Sequence, residues 1–112
     1  MTPIEFAEKY GLTVSSPGEG DSREIGGVYC CDLLSMVMGR ASENDAFLTV
    51  MGNVNTVAVA VLADVSCVIL CEGIQLDEPT LEKARAQDVC VLLPPEPPFQ
   101  VALRLARELD MV

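Results

Sequence analysis

From Ile25 onward, short apolar runs rich in β-branched residues alternate with helix-patterned segments. Gly26 to Cys31 reads as a buried strand, and Asp32 is placed to cap a helix that runs through Leu33, Leu34, Met36, Val37 and Met38 toward Arg40. Ala46 to Met51 is the next strand, followed by a turn, Gly52-Asn53-Val54-Asn55, that offers two N-caps. Thr56 to Asp64 has the Val/Ala alternation of a strand. Its length, its alanines and its place between two strands suit a buried helix, and the helix is the expectation adopted. Cys67 to Cys71 is apolar nearly throughout, as a central strand buried on both faces requires. Pro79 opens a helix to Gln87, Val89 to Leu93 forms a further strand, and Pro94 to Pro98 is a stiff connector. The last helix, Phe99 to Leu109, puts Val101, Leu105 and Leu109 on one face. This alternation predicts an α/β fold, a mainly parallel sheet flanked by helices.

The N-terminal quarter reads differently. Thr2-Pro3-Ile4-Glu5 combines an N-cap hydroxyl, a first-turn proline and a glutamate placed to close a capping box. A short helix with Ile4, Phe6, Ala7 and Tyr10 on its apolar side should follow, ended by Gly11. Leu12 to Val14 reads as a short strand, and Ser15 to Glu24, with Pro17, Gly18 and Gly20 among acidic residues, as a solvated, mobile loop.

With 112 residues there is room for one layered core, so residues 1–112 are expected to form a single domain. Half of the chain is hydrophobic before its 8 glycines are counted, a large share for so small a surface. The helix from Leu33 to Met38 is apolar in nearly every direction, which predicts a homo-oligomer, most simply a two-fold dimer. A net charge of −10 with no basic run argues against nucleic-acid and anionic-membrane partners. The apolar stretch from Val54 to Cys71 contains Asp64, and a central aspartate costs about 2.5–3.5 kcal/mol on membrane insertion, so a spanning reading is rejected. No basic segment followed by an apolar one opens the chain, and five cysteines do not pair evenly. A reduced, cytoplasmic protein is the expectation.

The run Glu24-Ile25-Gly26-Gly27-Val28-Tyr29-Cys30-Cys31-Asp32-Leu33-Leu34-Ser35-Met36-Val37-Met38-Gly39-Arg40-Ala41 resembles the start of a stand-alone DRTGG domain, where a GVYxxDLLSxVMxxA pattern is typical. Asn53 to Ala60 with Leu62 to Val65 is similar to that family's second helix, and Val68 to Gly73 to its central strand and turn. The resemblance runs from about residue 24 to the end, although the five letters that name the family do not occur in order. It implies a fold like the N-terminal domain of HPr kinase/phosphorylase and a regulatory or assembly role. DRTGG domains also lie between CBS domains in regulated pyrophosphatases. Short stand-alone members accompany iron-only hydrogenases and are sometimes labelled iron–sulfur binding or serine kinase-like.

The residues weigh against both labels. No Gly-x-x-x-x-Gly-Lys-Ser/Thr phosphate cradle is present, and without histidine the commonest general base and neutral metal ligand are missing. Glu19, Asp21, Glu78 and Glu82 fall on predicted surface. The cysteines lie within predicted strands: Cys30 and Cys31 point to opposite faces, and Cys67 and Cys71 share a face but lie roughly 13 Å apart. They read as core residues rather than cluster ligands, and no metal site is expected. Polar residues just past the strands are the better candidates, because ligands collect at the carboxyl ends of parallel strands. These are Asp32 and Ser35, then Asn53, Asn55 and Thr56 beside Gly52, then Glu72 and Gly73, with capping and turn formation as their alternative role. A regulatory, ligand-sensing module that acts through a small molecule or a protein partner, without catalysis of its own, is the expected function. An iron–sulfur or redox protein serving hydrogenase chemistry is the rival, and the cofactor and ligand are left open.

Overall fold

Four parallel strands, with one antiparallel strand at the edge, form a sheet sandwiched between two helical layers. The computed structural model describes residues 1–112. In chain order the elements are α1 (Pro3–Tyr10), β1 (Thr13–Ser16), β2 (Gly27–Cys30), α2 (Leu34–Arg40), β3 (Asp45–Thr49), α3 (Val54–Ala63), β4 (Cys67–Leu70), α4 (Glu78–Ala86), β5 (Val91–Leu93) and α5 (Pro98–Glu108). The strand order is β1-β5-β4-β3-β2, so each parallel strand lies beside the next in sequence. β1 pairs antiparallel with β5, Thr13 opposite Leu93, with an irregularity between Val14 and Ser16. The mainly parallel α/β sheet expected from the hydrophobic pattern is observed.

Successive residues of a strand enter opposite layers, as the pleat demands. Phe47, Val68, Leu70 and Val91 pack with Val37 of α2, Val57 and Ala60 of α3 and Ala84 of α4. Leu48, Cys67, Ile69 and Leu92 pack instead with Phe6 and Ala7 of α1 and Val101 and Leu105 of α5. Both faces of β4 are therefore covered, which is why Cys67–Leu70 is apolar at every position and wholly buried. Truncating a side chain such as Ile69 here costs about 2–5 kcal/mol.

The ambiguous run after Gly52 is helical. Asn53 Oδ1 accepts hydrogen bonds from the N–H groups of Asn55 (2.9 Å) and Thr56 (3.3 Å), and Asp64 ends α3 in the left-handed conformation at φ 56°. The helix is flanked by α2 and α4 and backed by the sheet, so three of its sides need apolar residues and no clean amphipathic period survives. Val54 to Cys71 is thus split between α3 and β4, and no helix is long and apolar enough to cross a membrane.

Three expectations are corrected. β2 is the outer strand of the sheet, only half-buried and with Cys30 exposed; its uninterrupted run of glycine and apolar residues imitates a central strand. Asp32 does not cap α2, whose N-cap residue is Leu33 with no side-chain bond. The segment from Ser15 to Glu24 is not a free loop. Ser16 belongs to β1 and is fully buried, its hydroxyl donating to the Val89 carbonyl at 2.7 Å, and Gly20 is buried with its carbonyl accepting from Ile4 N–H at 3.0 Å. Gly18, at φ 46°, lies so close to the Asp88–Cys90 backbone that an added Cβ would sit 2.5 Å from the Asp88 oxygen. Glycine here permits close packing rather than motion.

Candidate functional site

The connections leaving β2, β3 and β4 lead to helices on one face of the sheet, whereas the connection leaving β5 leads to α5 on the other. Where neighbouring strands send their connections to opposite faces, a crevice opens at their carboxyl ends. In this fold that point lies between β4 and β5, and the chain itself fills it. Glu72 and Gly73, both left-handed at φ 67° and 71°, turn the backbone onto the proline-rich connector. Glu72 N–H donates to the Glu96 carbonyl at 2.9 Å and Gly73 N–H to the Pro94 carbonyl at 3.2 Å. The open crevice expected at the strand ends is therefore closed by two backbone hydrogen bonds.

Around this closure the carboxylates gather. Glu96 Oε2 pairs with Arg104 of α5 at 3.1 Å, while Glu96 Oε1 is buried without a hydrogen-bond partner. Asp32 reaches across from the end of β2 and accepts from the Thr49 hydroxyl at 2.7 Å and from Val50 N–H at 3.0 Å. The Thr49 hydroxyl in turn accepts from Met51 N–H at 3.2 Å. Beneath them lies Cys71, fully buried, its thiol pushed up to about 12 first by burial and then by Cys30, Glu72, Asp32 and Glu96. Two exposed apolar side chains flank the same end of the sheet: Leu33 before α2 and Phe99, 75% exposed, in the first turn of α5.

Of the residues singled out in the sequence, the structure brings Asp32, Glu72 and Gly73 to one edge. Asn53 is occupied in capping α3. Thr56 is buried and its hydroxyl donates to the Met51 carbonyl, so both serve the helix start. Ser35 and Asn55 are exposed on the first turns of α2 and α3. Thr49, Glu96 and Arg104 were missed, and Cys71 was read as a core residue, as its burial bears out. Thr49 carried a signal, a polar residue ending an apolar strand; Glu96 and Arg104 come from a connector and helix whose docking no local pattern specifies.

A second concavity, of about 130 Å³, lies at the opposite, amino end of the sheet between Glu19, Arg23, Asp64, Ser66 and Asp88. Its one cation is committed. Arg23 donates to Asn44 Oδ1 at 3.1 and 2.5 Å and to the Asp64 carbonyl at 2.8 Å, and pairs with the Asp64 carboxylate at 3.0 Å. These bonds hold two left-handed residues, Asn44 and Asp64, and tie the 15–24 segment to the body of the fold.

Cys30 and Cys67 lie within strands, whereas Cys31, Cys71 and Cys90 lie one residue beyond a strand end rather than inside it, though the alternation of faces holds. Cys67, Cys71 and Cys90 share the α1/α5 face, whereas Cys31 packs toward the other layer. Burial raises the thiols of Cys67 and Cys90, the latter to about 12, and burial followed by the Asp32 charge raises Cys30. Neutral thiols of this kind pack as small apolar groups and are poor thiolate donors. No three cysteine or carboxylate side chains converge in a metal-holding geometry.

No protein-family model matches the chain, and no curated protein matches its sequence. Among solved structures it is similar to the crystal structure of the CBS and DRTGG domains of the regulatory region of Clostridium perfringens pyrophosphatase, complexed with the activator diadenosine tetraphosphate. The TM-score is 0.75 at 15% sequence identity, over 91% of this chain and 44% of that one. The fold is DRTGG-like. The DRTGG-like fold accounts for nearly all of this chain, while the chain spans less than half the length of that regulatory region.

Proposed function

We propose that this chain is a regulatory, ligand-sensing module of the cytoplasm, without turnover of its own, that works as a homodimer. The observation that carries this reading is the DRTGG-like fold, shared with the regulatory region of a pyrophosphatase whose structure holds an activator. The absence of histidine from the sequence supports a non-catalytic role. The sequence resemblance, from about residue 24 to the end, adds the setting, an association with iron-only hydrogenase systems.

The ligand site of this reading is the exposed carboxyl edge of the sheet above the closed β4–β5 turn, with Asp32, Glu72 and Gly73 as its core and exposed Ser35 and Asn55 at the neighbouring helix starts, while Asn53 and Thr56 serve the α3 cap. Its chemistry differs from what a polyphosphate requires. Of the seven basic residues, Lys9, Arg23 and Arg104 are held in ion pairs with Glu108, Asp64 and Glu96, and the strand ends present carboxylates. A neutral or cationic molecule with N–H or O–H donors fits, the exposed Asp32 and Glu72 carboxylates being acceptors for them. A basic protein segment satisfies the same chemistry.

A thermal-shift comparison of adenosine, spermidine and diadenosine tetraphosphate tests this. Stabilisation by adenosine or spermidine that is lost in Glu72→Ala supports the site, and stabilisation by the tetraphosphate alone overturns the charge argument. Anaerobic reconstitution with iron and sulfide tests the rival. A colourless folded protein upholds the sensing module, and stoichiometric visible absorbance that disappears on cysteine substitution replaces it with an iron–sulfur protein.

A further inference from the structure

The outer face of α3 has no charge anywhere along Val54–Ala63, in a chain that carries 17 acidic and 7 basic residues. Leu62 projects from it, 70% exposed, and Val54 and Val61 are also exposed. Beside Leu62, between α3 and α4, runs an apolar groove of about 240 Å³ lined by Ala58, Val61, Leu62, Lys83 and Gln87. A projecting leucine and a groove on the same face form a self-complementary pair. In a two-fold contact a knob on one copy meets the hole on the other and the reverse holds at once.

We propose that this face is the interface between two copies of the chain, with Leu62 of each seated in the α3–α4 groove of the other. The proposal rests on the dimeric part of the functional reading and places its interface. Charge decides the occupant. A basic partner is drawn to the acidic surfaces of a −10 chain, whereas a second copy is repelled by them and approaches where acidic side chains are absent, as in this groove, whose one charged lining residue is Lys83. The groove spans Ala58 to Leu62, so seating Leu62 in it puts the two-fold axis beside Val61 with the α3 helices antiparallel. A standard interface buries about 800 Å² per partner. Ten residues of helix, about 15 Å long, do not supply this alone, and the exposed Met38 on the adjoining α2 extends the apolar surface. The apolar pattern of α2 pointed to that helix, but it is seven residues long and ends in exposed Gly39 and Arg40; α3 is longer and uncharged.

Sedimentation equilibrium at micromolar concentration reads the assembly directly. The wild-type chain sediments as a dimer whose dissociation constant falls as salt rises, because screening removes repulsion without weakening an apolar contact. Leu62→Glu raises the constant at least 100-fold while leaving circular dichroism unchanged, since the side chain is exposed in the monomer. In a Cys30→Ser/Cys31→Ser background, Val61→Cys forms an inter-chain disulfide under mild oxidation and Met38→Cys does not. A wild-type chain of monomer mass overturns both the interface and the dimeric reading. A dimer that survives Leu62→Glu, or cross-links through residue 38 and not 61, overturns the interface and leaves the dimer.

Discussion

The Asp32 carboxylate accepts a 2.7 Å hydrogen bond from the hydroxyl of Thr49, so a residue at the end of the outer strand satisfies a polar group that is 1% exposed in its neighbour. Asp32→Ala leaves that hydroxyl and the Val50 N–H without their acceptor and should destabilise the fold by about 1–3 kcal/mol. The measurement is a fall in urea midpoint at constant m-value. Asp32→Asn keeps an acceptor oxygen and should lose less. If Asp32→Ala were as stable as wild type, the strand-to-strand bond would not be what the residue supplies.

Alkaline pH tests the buried thiols. Burial pushes the Cys71 and Cys90 thiols up to about 12 in the folded chain, from about 9 when free of it. Below pH 9 both states hold these protons and the thiols' contribution is complete. Between 9 and 12 only the folded state holds them, so stability falls with rising pH, by about 1.4 kcal/mol per pH unit for each thiol. Urea midpoints across this range should decline less steeply in a Cys71→Ala/Cys90→Ala chain, and equal slopes would remove the thiols as the cause.

Glu72 occupies a left-handed conformation that favours glycine. Glu72→Gly should therefore hold or raise the melting temperature, by a change on the order of 1 kcal/mol, while abolishing the thermal shift produced by a bound ligand. Gly73→Ala, at φ 71° in open space, should cost about 1 kcal/mol through backbone strain alone. A ligand response that persists in Glu72→Gly moves the site away from the β4–β5 turn.

The brace between residues 15 and 24 should be as sensitive as the core. Gly18→Ala forces a Cβ to within 2.5 Å of backbone atoms and should cost at least 1–3 kcal/mol, with amide exchange accelerated in β1 and β5. Unchanged exchange in β5 would show the segment to be dispensable.

The α/β architecture was legible because its elements carry local signals: the capping box at Thr2 and Glu5, Asn53 ahead of α3, and the unbroken apolar run of β4. Lateral placement was not. Nothing in the residue types of Gly27–Cys30 distinguishes an outer strand from an inner one: α5 packs against the strand and Tyr29 joins the opposite layer, yet its residues are only half-buried and Cys30 is exposed. Asp32 showed the same limit. A residue that precedes a helix is also one that follows a strand, and the buried Thr49 that claims it lies 17 positions away. Of the edge now proposed as a site, Glu72 and Gly73 were visible as turn residues, whereas Glu96 enters only because β1 and β5 fix where the connector runs.

The antiparallel pairing of β1 with β5 joins the first strand made to the last, Thr13 to Leu93. Every other strand pair links neighbours in sequence and can form as the chain grows. During synthesis, then, β1 has no partner until β5 has been made, and β5 presents a bare edge to other chains until β1 arrives. A chain interrupted before residue 91 leaves its first strand unmatched, so completion of the sheet is a test that only a chain carried through β5 can pass.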